Sequence, residues 1–139
     1  MSKVLIDSSV WINYFRPGKS LVAADVNLLL DEDKVFLCGM VELEILQGLR
    51  GKEHHLVEDL FKALHYIETT REDFISAGIM LNQLRKTGIT IPTSDCLIAS
   101  LCIRSDCALF TLDKDFKHVS LLKKYDQKFR STLTATADN

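Results

Sequence analysis

The stretch VLIDSSVWI (residues 4–12) places an acidic residue where a buried strand ends. Its first three residues form a short apolar run, which is typical of a strand in a parallel sheet covered on both faces. Asp7 follows directly, and after two serines comes a second apolar run with the only tryptophan of the chain. A carboxylate beside a core strand is costly unless a partner compensates its charge. The sequence therefore predicts a site at the end of the first strand.

Further along the chain, short apolar runs alternate with helical patterns. The predicted strands are residues 3–7, 35–38, 66–67 and 108–112. The predicted helices are residues 10–15, 23–30, 41–49, 56–64, 71–86 and 95–104, with Ser8 or Ser9 capping the first and Thr93 or Ser94 the last. In the longest helix, the side chains predicted to face inward are Phe74, Ile75, Ile79, Leu81 and Leu84. This alternation predicts an α/β fold with a mainly parallel central sheet flanked by helices.

Four acids from distant parts of the chain share an unusual setting. Asp7 and Asp113 each follow a predicted strand, Glu44 lies in the helix after the second strand, and Asp95 begins the last helix. Each is embedded in apolar sequence. Sites in open α/β sheets gather outside the carboxyl ends of the strands, so we expect these four side chains to converge there.

Clustered carboxylates repel one another and raise each other's pKa values, and a divalent cation removes that penalty. Oxygen ligands of this kind suit Mg²⁺ or Mn²⁺. A metal held by carboxylates activates water and binds phosphate oxygens, which is the chemistry of phosphodiester hydrolysis. For Asp95 a second interpretation stays open, because an acid in the first turn of a helix is favoured by the helix dipole alone.

The length and composition of the chain favour one soluble domain over residues 1–139, with a polar tail at residues 131–139 that we expect to fray. The formal net charge is −2, which argues against a simple DNA-binding module. The four cysteines form no C-x-x-C pair, which favours core thiols in a reducing cytoplasm. No apolar run approaches the length of a membrane span, so we expect no membrane partner.

Four motifs carry a resemblance to a known family. VLIDSSVWI, VELEILQG, PTSDCLIAS and LFTLDKDF occur in the order and approximate spacing of the PIN-domain nucleases. The chain is most similar to the VapC-type toxin ribonucleases of toxin–antitoxin pairs, and the resemblance extends from residue 4 to about residue 116. It implies a three-layer α/β fold and a Mg²⁺- or Mn²⁺-dependent endoribonuclease.

The resemblance also implies roles for the acids. Asp7 and Asp95 would hold a metal directly, whereas Glu44 and Asp113 would bind a second metal or metal-bound waters. Glu44 could also take the proton from the attacking water. Asp115 is the alternative to Asp113, because the spacing of the last motif varies in the family.

Residues around the acids complete the predicted site. Ser9 matches the small hydroxyl residue near the first acid of the family and could bond to Asp7 or to a metal-bound water. Arg16 and Lys19, in the loop after the first helix, are the candidate contacts to the RNA backbone.

By the same resemblance, the protein would be a homodimer. An antitoxin protein would silence it by laying a C-terminal segment in a groove that approaches the acids.

Other functions compete with this interpretation. A catalytically inactive PIN-like scaffold that only binds a protein partner would have the same sequence pattern. A receiver-like domain would need paired acids after the first strand, and a haloacid-dehalogenase-type phosphatase would need Asp-x-Asp, where this chain has Ser9 in the third position. No base-reading element is recognisable, so the sequence does not indicate which RNA is cut.

Overall fold

The computed structural model describes residues 2–18 and 20–129 of the chain. In chain order, its elements are β1 (Lys3–Ile6), α1 (Ser8–Phe15), α2 (Leu21–Asp31), β2 (Val35–Cys38), α3 (Gly39–Leu46), α4 (Glu53–Lys62), β3 (His65–Ile67), α5 (Arg71–Lys86), α6 (Thr93–Arg104) and β4 (Cys107–Phe110). A 3₁₀ turn, Lys114–His118, follows β4.

The four strands form one parallel sheet in the order β3-β2-β1-β4, which confirms the predicted α/β fold. In the register, Leu5 pairs with Phe36 on one side and with Leu109 on the other. β2 is buried along its whole length and β1 after its first residue, as expected for the central strands of a parallel sheet covered by helices. All four carboxyl ends lie at one edge, so Asp7 and Thr111 leave β1 and β4 side by side.

The aromatic cluster under α1 belongs to the hydrophobic core. Trp11 is fully buried, and its ring centroid lies 5.6 Å from that of Phe15 and 5.2 Å from that of Phe61. Burying an aromatic side chain of this size stabilises the fold by roughly 2–3 kcal/mol. The core therefore anchors α1 firmly beside the edge where β1 ends.

The predicted helix caps are wrong. Asp7 occupies the N-cap position of α1, and Ser9 lies in the first turn, where its hydroxyl donates to the Asp7 carboxylate and caps no N–H of the helix. At α6, Pro92 is the N-cap residue and Thr93 already belongs to the helix.

The predicted inward face of α5 is wrong at three positions. Phe74, Ile75 and Ile79 are 58%, 51% and 55% exposed, whereas Leu81 and Leu84 pack against the core as predicted. The buried stripe of α5 includes Asp73 and Ala77 instead. Asp73 can be buried because Arg104 of α6 donates to it from Nε and from Nη2, at 2.7 and 2.9 Å. The buried face of α5 thus includes an ion pair with α6, which hydrophobicity alone does not predict.

Two sequence predictions lie outside the described residues: the polar tail at residues 131–139 and the RNA contact at Lys19. Within the part of the chain that the structure describes, no helix has both the length and the apolar character needed to cross a membrane.

Candidate active site

Asp7 is the best-supported acid of the site. It is 4% exposed, and its Oδ2 accepts hydrogen bonds from Ser9 Oγ at 2.9 Å and from Thr111 Oγ1 at 2.8 Å. Its backbone N–H donates to the carbonyl of Phe110 at 2.9 Å, which continues the ladder between β1 and β4. The sheet itself therefore fixes where this carboxylate points.

The segment after β4 is ordered by a chain of hydrogen bonds. The N–H of Asp113 donates to Thr111 Oγ1 at 3.0 Å, and the N–H of Asp115 donates to Asp113 Oδ1 at 2.9 Å. The N–H of Leu112 donates to Ser9 Oγ at 3.1 Å. Thr111 and Ser9 thus connect the acid after β1 to the two acids after β4.

Asp95 lies at the centre of the acidic cluster. One carboxylate oxygen from each of Asp95, Asp113 and Asp115 lies within 4.8 Å of the others. Burial, followed by the negative charges of Asp113, Asp7, Glu44 and Asp115, raises the pKa of Asp95 to about 7. The charges of the other four acids all act on the Asp95 carboxyl, so the five form one electrostatic cluster.

Glu44 projects from α3 into the same cluster. Its pKa is raised by burial and then by the negative charge of Asp7, while a hydrogen bond with Ser8 acts in the opposite direction. Glu44 Oε1 and Asp95 Oδ2 are both buried with no hydrogen-bond partner in the described structure. Buried polar atoms are normally paired, so these two oxygens point to a missing ligand.

A divalent cation fits this arrangement. Throughout residues 2–18 and 20–129, no lysine or arginine nitrogen lies within 4.0 Å of a carboxylate oxygen of the five acids. The cluster offers hard oxygen ligands, an excess of negative charge and two unpartnered oxygens. Mg²⁺ and Mn²⁺ bind to sites of this kind.

The structure thus brings together the predicted acids Asp7, Glu44, Asp95 and Asp113, as well as Asp115, and it places Ser9 on Asp7. Arg16 is exposed at the end of α1.

Sequence reasoning missed Thr111, which is hydrogen-bonded to the acids of two segments. The signal for it was a hydroxyl residue that directly follows a buried strand and stands two residues before an acid.

An apolar groove leads away from Glu44. It has a volume of about 380 Å³ and is lined by Ile12, Phe15, Arg16, Glu44, Ile45, Gly48 and Leu49. A second depression, of about 320 Å³, shares Phe15 and Leu49 with it and continues along α4 past Leu56. Leu56 is 73% exposed. The two depressions adjoin at Phe15 and Leu49, and the first of them reaches Glu44.

Residues 4–122 match the family model described as the PIN domain. The chain belongs to the PIN-domain family. A relative of this PIN-domain chain, the VapC ribonuclease Mb1587 of Mycobacterium bovis, is 35% identical over 118 residues, which are 81% of this chain and 88% of the relative. Ribonuclease VapC1 of Methanocaldococcus jannaschii is 28% identical over 130 residues, 91% of this chain and 86% of its own.

Solved structures show the same fold. The crystal structure of DNA-bound VapBC from Salmonella typhimurium superposes with a TM-score of 0.76 at 16% identity, covering 91% of this chain and 99% of the other. VapBC-1 from nontypeable Haemophilus influenzae superposes with a TM-score of 0.74 at 21% identity, covering 89% of this chain and 97% of the other. The PIN-domain fold is therefore shared by sequences that have diverged widely.

Proposed function

We propose that this PIN-domain chain is a metal-dependent endoribonuclease and the toxin of a toxin–antitoxin pair. The observation that carries the proposal is the acidic cluster, in which oxygens of Asp95, Asp113 and Asp115 lie within 4.8 Å of one another and the charges of Asp7 and Glu44 act on Asp95. Glu44 and Asp95 each have a buried oxygen with no hydrogen-bond partner among the described residues. The relatives named VapC ribonuclease support RNA as the substrate.

The proposed cofactor is Mg²⁺ or Mn²⁺. Asp7 and Asp95 would hold it directly, and Glu44 and Asp113 would serve a second metal or metal-bound waters. The position of Asp115 beside Asp95 and Asp113 supports it as the alternative to Asp113. When bound, the cation would supply an activated water and a positive charge for the phosphate oxygens.

The side chains would divide the remaining work. Ser9 and Thr111 hold Asp7 in one orientation through two short hydrogen bonds. The raised pKa of Glu44 makes it a stronger base, which suits the role of accepting the proton of the attacking water. A site prepared in this way needs little rearrangement when RNA arrives.

The substitution Asp7→Asn tests this proposal. It keeps the size of the side chain but removes the negative charge, and we expect RNA cleavage in Mg²⁺ to fall by roughly 100- to 1,000-fold. EDTA should abolish cleavage by the unaltered protein. Asp59→Asn, an exposed acid on α4, is the matched control and should cleave normally.

Full metal-dependent cleavage by the Asp7→Asn protein would contradict the proposal. Absence of cleavage by every form, with retained binding of a protein partner, would favour the inactive scaffold instead.

The apolar groove beside Glu44 supports an antitoxin partner. An apolar segment lying along Phe15, Leu49 and Leu56 would end at the acids and block them. Relatives in fold include a toxin–antitoxin complex from Klebsiella pneumoniae. Because Leu56 is mostly exposed, Leu56→Glu should leave the fold intact but weaken co-purification with a co-expressed VapB-like antitoxin. Unchanged co-purification would place the partner elsewhere.

The exposed face of α5 supports the proposed homodimer. Phe74, Ile75 and Ile79 form an apolar patch that borders a groove of about 440 Å³ containing Leu121, which is 79% exposed. Patches of this kind mark interaction surfaces. Phe74→Glu should convert a dimer to a monomer in light scattering, and a mass unaffected by this change would reject the patch as the interface.

We also propose a single domain acting in the cytoplasm. The four cysteines are buried free thiols, which suits a reducing compartment.

A further inference from the structure

The 3₁₀ turn that follows β4 places its side chains on distinct faces, here called columns. With three residues per turn, side chains three positions apart lie above one another. Lys114 and Lys117 therefore share one column and are both exposed, whereas Phe116 is fully buried. Asp115 shares its column with His118. The turn thus presents two cations on one side and an acid of the cluster on another.

This turn is held rigidly against the acidic cluster. Asp113 caps it, with its carboxylate accepting from the N–H of Asp115, and Phe116 anchors it in the core. The carboxylates of Asp113 and Asp115 lie within 4.8 Å of Asp95. The backbone from which Lys114 and Lys117 project is therefore fixed next to the proposed cleavage site.

Neither of these lysines is used by the fold. Within the described residues, their amino groups form no ion pair or hydrogen bond, whereas Lys123 pairs with Asp106 and donates to it at 2.6 Å. A charged ridge with no internal partner remains available to a ligand of opposite charge.

We propose that Lys114 and Lys117 form a phosphate-binding ridge that holds the RNA backbone beside the acids. The proposal rests on the endoribonuclease function and names the surface that the substrate crosses. The chain has a net charge of −2, and its five clustered acids repel a polyanion. A pair of cations on the rim offsets that repulsion locally and contributes affinity through release of counterions. Because contacts to phosphate do not depend on the base, the ridge would serve any RNA sequence.

The test measures RNA binding without cleavage. A short fluorescein-labelled single-stranded oligoribonucleotide is titrated in Mg²⁺ with the full-length Asp7→Asn protein, and fluorescence anisotropy is followed at several salt concentrations. Adding Lys114→Gln and Lys117→Gln together should weaken binding roughly 10- to 30-fold at about 0.1 M salt. The slope of log affinity against log salt should become less steep by about 1.4, since each lost phosphate contact accounts for about 0.7.

Two control variants isolate the effect of charge at this place. Lys114→Arg with Lys117→Arg keeps the charge and should restore affinity and slope. Lys62→Gln removes an exposed cation from the end of α4, which precedes β3 and so lies toward the opposite edge of the sheet. It should bind RNA like the parent protein.

The outcomes separate this inference from the proposed function. If the unaltered protein cuts RNA but the double Gln variant binds with unchanged affinity and salt slope, the ridge is wrong and the nuclease function stands. If the double Gln variant loses only binding of the partner protein, the ridge serves that partner and the inference is overturned. If no form binds RNA, the ridge fails, and if the unaltered protein also fails to cut RNA, the nuclease proposal fails with it.

Discussion

Asp25 and Asp95 are both buried acids, but the protein treats them in opposite ways. Asp25, on α2, is fully buried and accepts hydrogen bonds from the hydroxyl of Tyr125 at 2.7 Å and from the N–H groups of Lys128 and Phe129 at 2.9 and 3.2 Å. Asp95 is 8% exposed, and its Oδ2 has no partner in the described structure. The hydrogen-bond partners therefore distinguish an acid whose charge the protein compensates from an acid whose charge the described structure leaves uncompensated.

The partners of Asp25 all come from one segment near the end of the described chain. That segment also pairs with β4, since the N–H of Leu109 donates to the carbonyl of Lys123 at 2.8 Å and the N–H of Tyr125 to the carbonyl of Leu109 at 2.9 Å. Asp25 thus fastens a stretch of chain that extends the sheet beyond its edge strand. Its role is explained without any ligand.

Removing Asp25 should have the largest effect on stability. Asp25→Ala leaves a hydroxyl and two N–H groups without an acceptor, and we expect the free energy of unfolding in urea to fall by about 3 kcal/mol. The loss should be the same in EDTA and in Mg²⁺, because no metal is involved. RNA cleavage per folded molecule should not change.

Asp59→Ala on α4 is the matched control for Asp25, since Asp59 is exposed. It should alter stability by less than about 0.5 kcal/mol. If Asp25→Ala lowers the free energy of unfolding no more than the control does, the hydrogen bonds of Asp25 do not stabilise the fold and its contrast with Asp95 is wrong.

Removing the charge of Asp95 should increase the free energy of unfolding, whereas Asp25→Ala should decrease it. Folding raises its pKa from 3.8 to about 7, so the unfolded chain loses this proton at lower pH and the metal-free protein loses stability as pH rises from about 4 to 7. Asp95→Asn should therefore stabilise the protein by roughly 1–2 kcal/mol at about pH 8 in EDTA. The gain should vanish near pH 4, where the carboxyl is protonated in both states.

In Mg²⁺ the unaltered protein should become more stable than the Asp95→Asn variant, the reverse of their order in EDTA. A ligand at a hundred times its dissociation constant stabilises by about 2.7 kcal/mol, and only the unaltered site should receive this in full. Thermal melts at about pH 8, with EDTA and then with Mg²⁺, measure both effects. Destabilisation by Asp95→Asn in EDTA would mean that this carboxylate has partners within the protein.

Thr111 should show the smallest effect and a purely local one. Thr111→Val removes the hydroxyl that donates to Asp7 and accepts from the N–H of Asp113, so both acids lose alignment. We expect RNA cleavage to drop about tenfold, with stability changed by less than about 1 kcal/mol. Thr69→Val, just before α5, should leave cleavage unchanged, and equal cleavage by both variants would show that Thr111 does not position the acids.

Much of the fold was predictable from local patterns. The strands are short apolar runs, and their alternation with helices led to the parallel sheet. The face of α5 was not predictable, because Asp73 and Arg104 are 31 residues apart in the chain and no local rule pairs them. Burial alone would raise the pKa of Asp73, but the hydrogen bonds from Arg104 and Thr70 lower it below its ordinary value. Charge compensation by Arg104 therefore allows α5 to bury Asp73, and Phe74 and Ile79 lie on its exposed face.

The sequence by itself determined which acids form the candidate site, since Asp7, Glu44, Asp95 and Asp113 each stand in apolar sequence near a strand end. Only the tertiary structure decided how each acid is supported. It joined Thr111 to Asp7, set Asp115 within reach of Asp95, and left Glu44 and Asp95 each with an unpartnered oxygen. The physical reason is the separation of the interacting residues along the chain. Strands and helices follow from residues that are near in sequence. The hydrogen bonds and the repulsion between these carboxylates depend on distances that are set only when the sheet forms.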